Sequence, residues 1–305
     1  MERPPDHGRR LHRHRARRPV LRHRHQGLPP VSGGSLGEQL RFPLDAVEVE
    51  AYHCDGVVGP FRLVSPDQMA SMRERITDEI VVPGAQLDDP HVDYHDRHLD
   101  HETVCRLCRG PELVDRIASL LGPDLLIWRS NFQIKQPLAE ATGDEQRYTE
   151  VPWHQDGAYF DLLPPVWVSA WIAITEATLD NGCLQVVRGS HTSTFHHDVD
   201  GTRHSFHQAV PTDAIDPDDI RVFELEPGEF VLFAENALHG SGPNRTGQPR
   251  IGLSPRVTVP FVRVTGNPLY AGLDRARHAP DEPREMGLLR GQDYTGRHHL
   301  VSLPC

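Results

Sequence analysis

The stretch Val151-Pro-Trp-His-Gln-Asp156 has the spacing of a metal-binding strand. Residues two apart on an extended strand point to the same side of it. His154 and Asp156 can therefore bind one metal ion, while Gln155 faces away.

A second segment, Leu238-His-Gly-Ser-Gly-Pro-Asn244, supplies another histidine, and Arg250 follows that histidine by eleven residues. Two imidazoles and one carboxylate are the ligand set that holds a non-heme Fe(II) on one face and leaves the opposite coordination positions open. We therefore predict a metal site made of His154, Asp156 and His239, with His239 arriving from a distant strand.

The His-x-Asp spacing alone is not specific, because the chain contains 20 histidines and repeats the pattern. It occurs at His53/Asp55, His91/Asp93, His98/Asp100, His154/Asp156 and His196/Asp198. Only His154 follows a Pro-Trp pair, precedes a strand-rich segment and is followed by a second histidine in a glycine-rich turn. This context selects the pair of His154 and Asp156 over the others.

The composition predicts a cytoplasmic protein with a single hydrophobic core. The chain is 37% hydrophobic and 25% charged, which is enough for one substantial core. It contains no apolar run near the roughly 20 residues that cross a bilayer, and its N-terminus lacks the apolar core of a secretory signal. The cysteines form an odd, scattered set that favours reduced thiols over a disulfide framework. They are Cys54, Cys105, Cys108, Cys183 and Cys305.

Charge is unevenly distributed along the chain. Residues 1–25 contain nine arginines and five histidines but only two acidic residues, whereas the rest contains 41 acidic against 23 basic residues. A basic arm can bind nucleic acid or a membrane surface, but this one has almost no apolar residues that could order it. We interpret residues 1–35 as a disordered basic leader and linker, and residues 36–305 as a single domain. Its acidic balance argues against a nucleic-acid partner, and no membrane partner is expected.

Two helix signals follow the linker. Ser65-Pro-Asp-Gln68 combines an N-cap serine, a proline at the first helical position and a glutamine three residues after the cap, which predicts a helix to about Val82. Gly110-Pro-Glu112 begins a second helix, and Gly122-Pro123 ends it. The segment Gly84–Glu102 between them is rich in histidine and aspartate and has little periodicity, so we expect a mobile lid there.

From Leu125 onward, short apolar runs alternate with Asn-Gly, Pro-Gly and glycine-rich turns. The predicted strands are Leu125–Lys135, Val166–Ile174, Leu184–Val187, Arg221–Leu225, Glu229–Phe233 and Ile251–Val264. Short strands with such turns are typical of a sandwich or a barrel.

In order and spacing, these features resemble the phytanoyl-CoA dioxygenase family of Fe(II)/2-oxoglutarate-dependent oxygenases, from about Tyr52 to about Val264. The most specific blocks are Val151–Asp156, Ala170–Ala173, Asp180–Leu184, Arg188–His191, and His239–Asn244 through Arg250. The resemblance implies a mainly β fold with flanking helices, the double-stranded β-helix (a cupin-like jelly roll). It also implies Fe(II) as cofactor, with 2-oxoglutarate and dioxygen as cosubstrates.

A 2-oxoglutarate site beside the metal follows from the same resemblance. The distal carboxylate needs a cation, and Arg250 suits it because a guanidinium is a planar, permanently charged fork that matches a carboxylate. Arg245 and Arg256 are weaker candidates for this role. Trp171 and Ser241 occupy positions that contact 2-oxoglutarate in the family.

Further cavity residues are expected on one strand. Asn131, Gln133 and Lys135 alternate along it, and its family counterpart lines the same cavity. We assign Gln133 to the cosubstrate and Asn131 to the substrate. Lys135 is the only lysine of the chain, and it is a candidate for meeting a carboxylate on cosubstrate or substrate, with a surface role as the alternative. His98, in the expected lid, is a candidate for touching substrate.

A zinc site is a competing interpretation of His98, His101, Cys105 and Cys108. Against it, the two cysteines lie one turn apart in an expected helix, where a buried cysteine acts as a small apolar residue.

The resemblance implies oxidative decarboxylation of 2-oxoglutarate to succinate and carbon dioxide, with removal of a hydrogen atom from a substrate carbon to give an alcohol. Relatives that halogenate have Gly or Ala in place of Asp156, so hydroxylation, or another oxidation without halide, is favoured. The expected substrate is a small molecule, free or tethered to a carrier. Asp55–Phe61 resembles the entry segment of the halogenating relatives and points to specialised metabolism. Two alternatives stay open: a redox-neutral or non-catalytic metabolite-binding β-helix protein, and a zinc hydrolase with the same three ligands.

Overall fold

Two main β-sheets, two smaller two-stranded sheets and flanking helices make up the described chain. The computed structural model describes residues 40–84, 94–139, 150–199, 208–265 and 284–305. The helices are α1 (Ala46–Asp55), α2 (Pro66–Ile76), α3 (Glu102–Cys108) and α4 (Pro111–Leu121), and α2 continues into a π-helical turn (Thr77–Val81) and a last turn (Val82–Gly84). The strands are β1 (Val57–Arg62), β2 (Leu125–Lys135), β3 (Val151–His154), β4 (Asp161–Leu163), β5 (Trp167–Ala173), β6 (Leu184–Val187), β7 (Asp198–Val199), β8 (Gln208–Ala209), β9 (Ile220–Phe223), β10 (Glu229–Ala234), β11 (His239–Ser241), β12 (Arg250–Thr258), β13 (Arg263–Thr265), β14 (Glu285–Arg290) and β15 (His299–Val301).

The two main sheets differ in size. Among the described residues, seven strands form the larger sheet in the order β1-β10-β5-β12-β2-β14-β15, and four form the smaller one in the order β3-β11-β6-β9. Side chains join the two sheets: the rings of Phe233 in β10 and His239 in β11 lie 4.9 Å apart between centroids, and Lys135 in β2 donates to the carbonyl of Ser241 in β11. The predicted mainly β fold of jelly-roll type is confirmed, with its interior between the sheets.

The predicted helix ends are confirmed for α2 and α4. The N–H of Gln68 donates to the Ser65 hydroxyl at 3.2 Å, and the N–H of Ser65 donates to the Gln68 side chain at 2.9 Å. This reciprocal cap contributes about 1 kcal/mol. α4 begins at Pro111 and ends before Gly122, whose φ of 95° favours a residue without a side chain.

The strand predictions are confirmed to the residue for one strand in each of the two main sheets. β2 and β6 have the predicted bounds, and each of the other predicted runs overlaps a strand whose ends are shifted. The run Ile251–Val264 overlaps two strands, because the chain turns between Val259 and Val262, where the N–H of Val262 donates to the carbonyl of Val259.

The described part of the expected lid is packed against β2. The N–H of Asp96 donates to the carbonyl of Ser130 at 2.7 Å, and the buried carboxylate of Asp96 pairs with Arg284 at 2.7 Å. Paired charges and backbone hydrogen bonds therefore hold this part of the segment against β2, and its mobility stays a prediction. Residues 85–93 lie outside the described residues.

The expectation of reduced thiols is wrong for Cys105 and Cys305. These two cysteines form a disulfide, with their Cα atoms 5.9 Å apart across 200 residues of sequence. Cys54, Cys108 and Cys183 are free. A disulfide-bonded Cys105 cannot serve as a zinc ligand, and among the described residues the one cluster of potential metal ligands lies elsewhere.

The basic leader and linker, residues 1–35, lie outside the described part of the chain. The described residues all belong to a compact unit, Glu38–Cys305. None of the helices described has the length and apolarity needed to cross a membrane.

Candidate metal and cosubstrate site

The three predicted metal ligands come together on the smaller sheet. His154 ends β3, and its cross-strand partner is His239, the first residue of β11. Asp156 begins a short turn directly after β3. One ligand atom from each residue lies within 4.8 Å of the others, and all three residues are buried. Gln155 points away, as expected, and donates to the carbonyl of Ser193.

Both imidazoles have the tautomer that suits a metal ion. Nδ1 of His154 donates to the carbonyl of Pro152 at 2.8 Å, and Nδ1 of His239 donates to the carbonyl of Ala237 at 2.9 Å. Because a carbonyl only accepts, each proton lies on Nδ1 and each Nε2 keeps its lone pair. Burial lowers the pKa of His154 to about 3 and also lowers the pKa of His239. Both rings are therefore neutral at physiological pH, the state that binds metal.

The carboxylate of Asp156 is ionised although it is buried. Burial acts to raise its pKa, but the charge of Arg256 is the largest of the opposing effects, and the pKa is lowered to about 2. Oδ1 of Asp156 lies 3.8 Å from Nε2 of His154. A buried anion between two neutral imidazoles is the donor set of a facial metal triad, so these residues fit Fe(II).

Arg250 is the first residue of β12, and its side chain is buried rather than on the surface, with 2% of it exposed. Nη1 donates to the carbonyl of Gln133 and Nη2 to the carbonyl of Gly182, both at 3.1 Å. The guanidinium carbon lies 5.1 Å from the centre of the Trp171 ring. Nε is buried without a hydrogen-bond partner among the described residues. A fixed, buried guanidinium with an unused donor fits a carboxylate ligand.

Lys135 is the cross-strand partner of Arg250 and is also 2% exposed, so its surface alternative is excluded. Nζ donates to the carbonyls of Ser241 and Gly242. Burial, and next the charge of Arg250, lower the pKa of Lys135 to about 6. Lys135 therefore lies beside Arg250 and beside half-buried Ser241, where an anionic cosubstrate would restore its proton.

Trp171 is part of the hydrophobic core, and its indole ring also orients the side chains beside it. Its indole N–H donates to Oε1 of Gln133 at 2.6 Å. A Cβ atom on Gly252 would lie 2.3 Å from Cζ2 of Trp171, so this position on β12 requires glycine. Trp171, Gln133 and Arg250 thus form one packed group.

Arg256 has a role that the sequence did not predict. Nε of Arg256 donates to Oδ2 of Asp156 at 3.0 Å, and Nη1 donates to Oδ1 of Asn131. Alternation along β12 was a usable signal, because Arg250 and Arg256 are six residues apart and so point to one face. Arg245, the other weaker candidate, is exposed.

His98, predicted to touch substrate, does not lie with the other predicted site residues. Its ring is 1% exposed, and Nδ1 lies 2.7 Å from the hydroxyl of Ser130. Ser130 alternates with Asn131 along β2, so His98 lies on the opposite face of that strand from the cavity residues.

Comparison with known proteins places the chain in one family. The family model described as Phytanoyl-CoA dioxygenase (PhyH) matches residues 52–252. An ectoine dioxygenase from Streptomyces anulatus is 27% identical over 68% of this chain and 76% of that enzyme. The structure of CytC3 with Fe(II) and alpha-ketoglutarate is 25% identical, with a TM-score of 0.62 over 85% of this chain and 94% of that one. Apo ThoJ, a non-heme monooxygenase, shares the fold at 24% identity, with a TM-score of 0.67 over 84% of this chain and 88% of that one. The chain belongs to the phytanoyl-CoA dioxygenase family and is an Fe(II)- and 2-oxoglutarate-dependent dioxygenase.

Proposed function

We propose that this dioxygenase hydroxylates, or otherwise oxidises without halide, an aliphatic carbon of a small molecule, and that His154, Asp156 and His239 bind its Fe(II). The observation that carries the proposal is the convergence of two neutral imidazoles and one ionised carboxylate within 4.8 Å. With 2-oxoglutarate and dioxygen, bound Fe(II) supplies an oxidant strong enough to remove a hydrogen atom from substrate carbon.

Arg250 and Lys135 are proposed to bind the distal carboxylate of 2-oxoglutarate. The unused Nε of Arg250 supports this assignment, as does the position of Lys135 as its partner on the neighbouring strand. Trp171 and Gln133 hold the guanidinium in place through ring stacking and a backbone carbonyl. Ser241 completes the site from the opposite sheet. Burial of the group excludes water, which strengthens each charged contact to the cosubstrate.

Asp156 supports hydroxylation over halogenation. A halide would need the coordination position that this carboxylate takes. Oδ2 of Asp156 accepts hydrogen bonds from Arg256 at 3.0 Å and from Ser169 at 3.5 Å, so the side chain is held at the site.

The substrate is proposed to lie beside Asn131 and Phe160. Asn131 shares the inner face of β2 with Gln133, and half-buried Phe160 follows Asp156 by four residues. Similarity to an enzyme named for ectoine supports a small-molecule substrate. The resemblance of Asp55–Phe61 to an entry segment of halogenating relatives supports specialised metabolism.

Anaerobic spectroscopy tests this function on the full chain. Fe(II) followed by 2-oxoglutarate should give a weak visible charge-transfer band, and admission of air should yield succinate. Binding of 2-oxoglutarate without any succinate would favour a redox-neutral binding protein. Activity that persists with zinc and without 2-oxoglutarate would favour a hydrolase.

A further inference from the structure

Arg256 makes a shielded ion pair with one of the proposed metal ligands. Its side chain is 6% exposed and that of Asp156 is 3% exposed. Nε of Arg256 donates to Oδ2 of Asp156 at 3.0 Å, and Nη2 approaches Oδ1 at 3.4 Å. The planar guanidinium therefore fixes the rotation of the carboxylate as well as balancing its charge.

The two carboxylate oxygens of Asp156 have different neighbours. Oδ2 accepts from Arg256 and from the hydroxyl of Ser169, the cross-strand partner of Arg256. Oδ1 lies 3.8 Å from Nε2 of His154, on the side of the imidazole lone pairs. Among the described residues, Oδ2 thus accepts from two side chains, one of them at 3.0 Å, whereas Oδ1 has only the longer contact to Arg256 at 3.4 Å and is the oxygen beside His154.

Arg256 is itself held from two further sides. Nη1 donates to Oδ1 of Asn131, and the guanidinium carbon lies 5.0 Å from the centre of the Phe160 ring. Phe160 belongs to the same turn as Asp156, because its N–H donates to the carbonyl of Asp156 at 3.2 Å. Arg256 therefore braces the ligand turn against β2 and cannot leave the carboxylate without breaking these contacts.

We propose that Arg256 is a positioning residue that restricts Asp156 to metal coordination through Oδ1 alone, and so keeps one coordination position open for dioxygen. The inference rests on the ligand assignment proposed above. If Fe(II) takes six donor atoms, one from each of the three protein ligands and two from 2-oxoglutarate would leave a single position free. A carboxylate that bound through both oxygens would fill it. Lysine at this position would keep the charge but has no fork to orient the carboxylate.

Nitric oxide is a suitable probe, because it binds Fe(II) where dioxygen binds and gives a paramagnetic resonance signal without turnover. The variants are Arg256→Met and Arg256→Lys, with Arg245→Met as the matched control because Arg245 is exposed. Each full-length protein is saturated anaerobically with Fe(II) and 2-oxoglutarate, and the charge-transfer band verifies loading. We expect the affinity for nitric oxide to fall by roughly tenfold or more in both Arg256 variants, with the band retained and Arg245→Met unchanged.

An unchanged nitric oxide affinity in loaded Arg256→Met would overturn the proposal. A folded Arg256→Met that cannot be loaded with Fe(II) would also overturn it, because Arg256 would then be needed for the ligand set itself. If Arg256→Met does not fold, Arg256→Lys decides by the same criteria, since it keeps the buried charge. Absence of the charge-transfer band in the unmodified chain would instead refute the ligand assignment.

Discussion

Lys135 and Arg250 are cross-strand partners on β2 and β12, and both side chains are 2% exposed. Burial and the neighbouring guanidinium lower the pKa of Lys135 to about 6, although Glu150 and Cys183 act to raise it. A carboxylate bound beside this pair would favour the charged form of Lys135 and would meet the charge of Arg250. The pair therefore suits a dianion such as 2-oxoglutarate.

We expect 2-oxoglutarate binding to take up a proton at about pH 7 to 8. Lys135 without ligand is neutral above about pH 6, and a bound carboxylate would raise its pKa toward the ordinary lysine value. Affinity for the dianion should therefore weaken as the pH rises through this window. Calorimetry in two buffers of different ionisation enthalpy should show uptake of roughly one proton in the unmodified chain and none in Lys135→Met. Equal uptake in both proteins would remove Lys135 from the site.

Arg250→Ala should weaken 2-oxoglutarate binding by about 2 kcal/mol or more, because a buried charge-assisted contact to the carboxylate is lost. The measurement is a titration of the charge-transfer band with 2-oxoglutarate at saturating Fe(II). Arg245→Ala is the control, because that arginine is exposed and should leave the titration unchanged. Similar affinities for both variants would move the cosubstrate anchor to another residue.

Gly252→Ala should reduce both stability and cosubstrate affinity. The added Cβ atom would lie 2.3 Å from Cζ2 of Trp171, and forcing the indole aside should lower the free energy of unfolding by about 1–3 kcal/mol. Gly247→Ala is the control, because a Cβ atom there has nothing within 4 Å among the described residues. Denaturant unfolding and the 2-oxoglutarate titration measure the two effects. If Gly252→Ala matches Gly247→Ala in both, Trp171 does not hold the cosubstrate site.

Cys305→Ser should lower the free energy of unfolding by about 2–4 kcal/mol under non-reducing conditions, because its disulfide to Cys105 closes a 200-residue loop. Cys54→Ser removes an exposed free thiol and should have little effect. Unfolding curves with and without reductant provide the check. Identical curves for the unmodified chain in both conditions would show that the disulfide does not form in solution.

Local patterns predicted the parts of the fold and site that local physics determines. The alternation of His154 and Asp156 about Gln155, the cap at Ser65 and the strand Leu125–Lys135 depend on neighbouring residues, and the structure has all of them as expected. The jelly-roll fold itself came from the order of motifs that resembles a family.

Contacts between distant segments could not be predicted in this way. The pairing of Cys105 with Cys305 depends on the path of the last strands, which have weak sequence signals. The contact of Arg256 with Asp156 depends on how the two sheets face each other. Alternation along β12 could therefore predict which face of the strand Arg256 lies on, but not that Asp156 is its partner. His98 was misplaced for a related reason, because its segment docks on the far side of β2.

Fe(II) binding by Asp156→Gly, compared with Asp198→Gly, tests the central claim most directly. Asp198 is the matched control because it belongs to a His-x-Asp pair that is exposed: His196 and Asp198 lie 3.2 Å apart, with side chains 87% and 63% exposed. We expect Asp156→Gly to lose roughly 10- to 100-fold in Fe(II) affinity, and its succinate formation with it, because an anionic ligand is removed. Asp198→Gly should match the unmodified chain in both measurements. If Asp198→Gly instead abolished Fe(II) binding and Asp156→Gly retained it, the metal site would have been assigned to the wrong His-x-Asp motif, and the account would fail.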